Sequence, residues 1–451
     1  MEREKLSGLS HLFVTVFLSV FSNFMVFPAI TDVTMAALCP GKDECSLAIY
    51  LSGFQQAMIG LGTLVMMPVI GNLSDQYGRK ALLTLPLTLS IIPLAIMAYS
   101  RTTSFFYAYF LLRTLTAMVC EGSVNCLALA YVADTVPEGQ RAAAFGVLSG
   151  ICSSSFVFGT LVTRFISTTA TFQVATLVSM LAAIYMRVFL KESVPIDDSL
   201  SQPIIIKGDP DLNVDQNDDH GDQPLKKISS ISVYKNIPSI EDLTCLLKSS
   251  TTFSQAAVVA FFNSLAEGGM QAASLYFLKA RFHFNKDQFA DLMLISGIAA
   301  TVSQLLFMPL LTPIIGEKKL LSIGLLVGCV NTFLYSISWA IWVPYALSVF
   351  TVLAFFAIPA LRSIASKQVG SNEQGKAQGC ISGISSFANI ISPLIFSPLT
   401  ALFLSDRAPF NFPGFSIMGI GLATMIAFIQ SLLIRDISSD SKSQNQYSLV
   451  A

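Results

Sequence analysis

The chain has 451 residues, 53% of them hydrophobic and only 12% charged, with a net charge of -1. Soluble domains carry about a quarter charged residues, so a single water-soluble core is excluded and the chain belongs in a bilayer. With no basic face to neutralise phosphates, nucleic acid is excluded as a partner.

The N-terminal Met1–Lys5 is polar and runs into a long apolar stretch without a signal-peptide cleavage pattern, so insertion is expected to depend on the first span itself. Runs of about 20 apolar residues, the length that crosses ~30 Å of hydrocarbon, are predicted near 11–32, 49–70, 81–100, 104–133, 141–163, 168–190, 252–277, 287–314, 319–338, 343–366, 377–403 and 412–434. The reading is an all-α membrane protein with twelve transmembrane helices. Its expected organisation is a six-helix bundle over 1–190, an acidic linker over 191–250, a second six-helix bundle over 251–435 and a tail over 436–451. Arg3, Lys5, Arg79, Lys80, Arg141, Lys318, Lys319, Lys367, Lys376, Arg435 and Lys442 fall in short loops and tails on one side, against Lys42, Arg101, Arg164, Lys279, Arg281, Lys286 and Arg407 on the other, and this excess favours a cytoplasmic place for both termini and the linker. The sequon Asn72-Leu73-Ser74 falls on that side and is expected to carry no glycan.

None of the eight cysteines forms a CxxC pair, and no metal or cofactor is implied. Cys120, Cys126, Cys152, Cys329 and Cys380 read as small packing residues. Cys39 and Cys45 share the outer loop after the first span, where they form a disulfide if that compartment is oxidising, or remain two free thiols. The linker crowds Asp197, Asp198, Asp209, Asp211, Asp215, Asp218, Asp219 and Asp222 among Gly, Pro and Ser, too polar to fold alone. Its end, 237–247, has apolar residues at helical spacing that suit a membrane surface.

The halves echo one another. Gly146-Val-Leu-Ser-Gly-Ile-Cys-Ser153 parallels Gly379-Cys-Ile-Ser-Gly-Ile-Ser-Ser386, and Phe21-Ser-Asn23 parallels Phe261-Phe-Asn263. Pro28 and Gly268, each five residues past its asparagine, predict interrupted helices at matching places. Such a duplication is the sign of a rocker-type transporter with its site between the halves.

Ionisable groups inside spans are costly, by at least ~2.5 kcal/mol at the centre, and need a partner or a wet cavity. The candidates are Arg113 and Glu121, eight residues apart on one helical quadrant, together with Glu267 and Arg362. Arg113 and Glu121 either serve transport or lock the bundle as a buried pair. Glu267 has no cation on its own helix nearby and suits proton exchange near neutral pH. Asn23, Gln55 and Asn263 are polar groups able to bind a solute, or to bond helix to helix. No histidine lies mid-membrane. There is no Walker A run, HExxH or GxSxG elbow, so no enzyme is predicted.

The run Gly71-Asn-Leu-Ser-Asp-Gln-Tyr-Gly-Arg-Lys80 resembles the loop signature of the major facilitator superfamily at Gly71, Leu73, Asp75, Gly78, Arg79 and Lys80. Arg113, Ala130-Tyr-Val-Ala-Asp134 and Arg141-Ala-Ala-Ala-Phe-Gly146 resemble the tetracycline-resistance-like branch. So do Pro359-Ala-Leu-Arg-Ser363 and Gln378-Gly379, and the likeness extends to hippocampus-abundant-transcript proteins and, more distantly, proton-coupled folate carriers. The resemblance implies two pseudo-symmetric bundles and a cytoplasmic gate in which Asp75 holds the bundles together, with Arg79, Asp134 and Arg141 as charge-relay partners. One departure is in the fifth span. Gly150-Ile-Cys-Ser-Ser-Ser-Phe-Val-Phe-Gly159 lacks the proline of the antiporter signature, and Glu121 replaces a residue that is small in the tetracycline group. The expected function is alternating-access transport of a small organic solute with protons, by a monomer in the plasma membrane or a vacuolar or lysosomal-type membrane. A facilitated uniporter and a non-transporting receptor or scaffold are the alternatives.

Overall fold

The computed structural model describes residues 2–38, 46–163, 165–193, 250–284, 286–404 and 408–434. The Cys39 and Cys45 pair, most of the linker and the tail lie outside the described residues.

The first half runs α1 (Glu2–Leu38), α2 (Ser46–Tyr77), α3 (Arg79–Leu89), α4 (Ile91–Tyr99), α5 (Thr103–Cys120), α6 (Ser123–Thr135), α7 (Arg141–Val162) and α8 (Thr168–Phe189). The second runs α9 (Thr251–Phe282), α10 (Lys286–Val302), α11 (Met308–Ile315), α12 (Glu317–Ser336), α13 (Trp342–Phe350), α14 (Ala357–Ser366), α15 (Gln374–Phe403) and α16 (Phe415–Leu433). Several are pieces of one crossing: α3 with α4, α5 with α6, α10 with α11 through a π-helical turn at Ser303–Phe307, and α13 with α14. Among the described residues, eleven helical stretches are long and apolar enough to cross a membrane. The twelfth expected crossing is α9, whose 32 residues rise about 48 Å. Asn263, Glu267, Gly268 and Gly269 dilute its apolar character. Large apolar side chains such as Val65, Leu177, Ile314, Phe350 and Leu394 cover the exterior, as lipid-facing helices require.

Two of the expected helix breaks are corrected. α1 continues through Pro28 and α9 through Gly268. A Cβ at Gly268 would approach Asn389 Oδ1 and the Ser392 Cβ at 3.0 Å, so this glycine serves close helix packing rather than unwinding. The first-half break is at Glu121 and Gly122. Glu121 leaves the helix with ψ 123°, and Gly122 takes φ 75°, a left-handed conformation that favours glycine.

The halves meet in a pseudo-symmetric exchange. α2 packs along α15, and α7 packs against α10, α11 and α14. Small residues permit the contact. A Cβ at Gly150 would meet Leu305, and one at Gly71 would collide with the Gly375 carbonyl. The departure of α7 from the antiporter signature therefore leaves tight packing intact.

Candidate functional site

At one end of the bundle, called the inner end, the charged loop between α2 and α3 is bonded to both halves. Gly78 takes φ 90° and turns the chain so that Arg79 starts α3 with its side chain completely buried. Arg79 pairs with Asp75 one turn earlier and donates through Nε to Asp134 Oδ2 at 2.9 Å. Asp75 accepts from the backbone N–H groups of Gly375 at 2.9 Å and Lys376 at 2.8 Å. A carboxylate on the first amides of α15 is a charge placed on a helix N-terminus, which its dipole favours. The contact crosses from one half to the other. A second crossing runs the opposite way, from Arg141 Nη1 to the Ser366 hydroxyl at 3.2 Å and carbonyl at 3.3 Å. Gly71, Asp75, Gly78, Arg79, Lys80, Asp134 and Arg141, the residues expected to form a gate, thus gather at one end of the bundle interface.

Several gate residues have no sequence signature. Glu192, just past α8, accepts from the N–H of Arg79 at 2.6 Å and of Lys80 at 3.0 Å, capping α3. Ser193 donates its hydroxyl to Asp134 Oδ2 at 3.2 Å. Gln374 accepts from the Ser366 hydroxyl at 2.6 Å and donates to the Ser366 carbonyl at 3.0 Å. The other oxygen of Asp134 is buried without a hydrogen-bond partner.

The mid-membrane candidates are arranged differently. Arg113 Nη2 meets Glu121 Oε2 at 3.0 Å, and the glutamate side chain remains 49% exposed. Helix rise places Glu121 roughly 21 Å above the inner end of α6 and Glu267 roughly 24 Å above the inner end of α9, nearly the same depth. Glu267 is exposed and, at ~100° per residue, points away from Gly269. Gly269 faces Phe396 and Ile420 of α15 and α16. Asn23 is exposed and donates to the Ser19 carbonyl at 3.0 Å. Gln55 donates to the Thr114 hydroxyl at 3.0 Å, tying α2 to α5. Asn263 is half-buried one turn below Glu267. Arg362 is not beside either glutamate. It donates to the Ser382 hydroxyl at 2.9 Å and to Gln378 Oε1 at 3.2 Å, about 6 Å above the inner end of α14, and so belongs to the gate end.

A separate cavity of about 430 Å³ opens among Gly139, Thr252, Thr312, Glu317, Lys319 and Lys367. It lies at the inner end of the second half, remote from the mid-membrane acids.

Two helical bundles joined by a reciprocal interface, sealed at one end by buried charges, define a multi-pass carrier fold. The chain belongs to the Major Facilitator Superfamily, whose sequence profile matches residues 12–234 and 256–448. Hippocampus abundant transcript-like protein 1 of Bos taurus is 25% identical over 354 residues, 78% of this chain and 64% of that protein. The match therefore spans less than two thirds of that relative's length. Among solved structures, the human organic anion transporter MFSD10 (TETRAN) gives a TM-score of 0.74 at 15% identity, over 95% of this chain and 99% of that one. The E. coli fucose:proton symporter FucP gives 0.66 at 13% identity, over 95% and 98%.

Proposed function

We propose that the chain moves a small organic solute across a membrane by alternating access, coupled to protons, with Glu267 and Glu121 as the proton-exchanging groups. The observation that carries this reading is their placement: two acids at one mid-membrane depth, both exposed, above an inner end closed by hydrogen-bonded charges. An acid within a span needs a partner or a wet cavity: Glu121 has Arg113, and no ion pair is found for Glu267 among the described residues. Arg113 serves as counter-charge to Glu121, and Asn23, Gln55 and Asn263 offer hydrogen bonds to the solute. Arg362, at the gate end, holds α14 to α15. The fold neighbour FucP is a fucose:proton symporter, so the architecture accommodates such coupling.

A pH step applied to proteoliposomes on a solid-supported membrane tests the proposal without knowledge of the solute. A transient charge displacement is expected from the native chain and its loss in Glu267→Gln. An unchanged transient in that variant would assign Glu267 no proton role. A uniporter is the second reading, favoured by the 3.0 Å Arg113–Glu121 pair, which neutralises one acid internally. Solute counterflow undiminished in the double Glu→Gln variant would select it.

A further inference from the structure

The second half repeats the gate pair with its charges exchanged. α12 begins after Gly316, whose φ of 86° and ψ of 154° match the 90° and 153° of Gly78 before α3. Glu317 therefore stands where Arg79 stands. The register that aligns Gly146 with Gly379 also aligns Asp134 with Lys367, Val136 with Val369 and Arg141 with Gln374. Hydrogen bonding follows that register. Arg141 Nε donates to the Val136 carbonyl at 3.3 Å, and Gln374 Nε2 donates to the Val369 carbonyl at 3.2 Å. Where Arg79 reaches Asp134 in the first half, Lys367 Nζ reaches Glu317 Oε1 at 2.8 Å in the second.

We propose that Glu317 and Lys367 are positioning residues for closure of the inner gate, the charge-exchanged partner of Arg79 and Asp134. Lys367 directly follows Ser366, the residue that receives Arg141 from the other half. Clamping the end of α14 to the start of α12 fixes the height at which Ser366 meets that guanidinium. The exchange of sign has a physical reason. Glu317 is close enough to Arg141 to attract it, and with a side chain only 10% exposed the attraction is weakly screened. A cation at 317, as in the first half's order, would repel Arg141 and push the halves apart. The inversion lets one pair hold its own bundle and draw in the other. The inference rests on the gate geometry and not on proton coupling.

Cys126 supplies the reporter. It is 1% exposed and lies against Ser382 of α15, across the bundle interface. In the full chain with the other cysteines replaced by serine, maleimide labelling of Cys126 from the cytoplasmic side reads gate opening without any solute. Glu317→Lys and Lys367→Glu are each expected to raise the labelling rate about tenfold, and the exchanged double variant, which restores the clamp but sets a cation near Arg141, to fall between the singles and the parent. Singles that label at the parental rate, or a double as fast as the singles, would overturn the proposal. Glu317→Gln and Lys367→Gln, each expected to raise the rate about threefold, decide the matter if a reversed charge prevents folding. Parental labelling in both glutamine variants would likewise overturn it.

Discussion

Replacing Asp75 by asparagine tests the central element of the gate. In the closed state this carboxylate accepts two backbone bonds from the other half, at 2.9 and 2.8 Å, and pairs with buried Arg79. Hydrogen bonds to charged groups contribute about 1.5–3 kcal/mol each. A charge at a helix N-terminus adds roughly 0.3–1 kcal/mol. Asparagine retains one acceptor oxygen but turns an NH2 toward donors, so at least one cross-bundle bond and the charge term are lost. The closed state is then weakened by roughly 2–3 kcal/mol relative to the open one, a population shift of about 30- to 150-fold. Spin labels at Gly139 and Gly370 report it, since a side chain at either position meets nothing within 4 Å. Double electron–electron resonance should give one short distance in the parent and a dominant longer one in Asp75→Asn. An unchanged distribution would mean that the two amide bonds do not hold the halves together.

Other variants probe the surrounding parts. Gly71→Ala drives a methyl into the Gly375 carbonyl, so the same labels should report an opened inner end, whereas Gly419→Ala, whose methyl makes only ordinary contacts with Phe396 and Leu399, should leave the distance unchanged. Arg79→Ala strands Asp75 and Asp134, with side chains 8% and 5% exposed, and should destabilise the protein by roughly 3–5 kcal/mol. That appears as a melting temperature several degrees lower in detergent, against little change for Lys80→Ala; equal melting of the two would contradict the assigned role. Glu192→Gln removes a charged cap from α3, worth about 1 kcal/mol, and should open the gate measurably less than Asp75→Asn does.

The legible parts of this molecule were those where polarity contradicts its surroundings. Charges from Asp75 to Lys80 stand out in an apolar chain, and Arg113, Glu121 and Glu267 are conspicuous because hydrocarbon penalises them. Glu192 and Ser193 were hidden for the converse reason, since they open an acidic, polar linker in which another Glu or Ser carries no signal. Only the return of α8 beneath the α2–α3 loop gives them partners. The amides of Gly375 and Lys376 have no side-chain signature, because any residue but proline donates an N–H there. The break at Glu121 was not legible, because Glu121-Gly122 and Glu267-Gly268 are the same dipeptide and only the first interrupts its helix. Pro28 and Gly268 were the more obvious breakers, yet continuous helices run through both.

The contrast between the two sets of charges follows from how fully each is bonded. Arg79 is wholly buried, with donors on Asp75, Asp134 and Ser74, and Asp75 takes amides as well as the guanidinium. A cluster bonded this completely favours two discrete arrangements, bonded or apart. Glu121 has a single partner and remains half exposed, and no ion pair is found for Glu267 among the described residues. The proposed mechanism uses both kinds of site, because its gate must be bistable while its mid-membrane acids must respond to a proton or solute. Asp134 stands at the join. One oxygen holds Arg79 and Ser193 while the other is buried without a partner, so it is the gate acid with the least to lose when the bundles part.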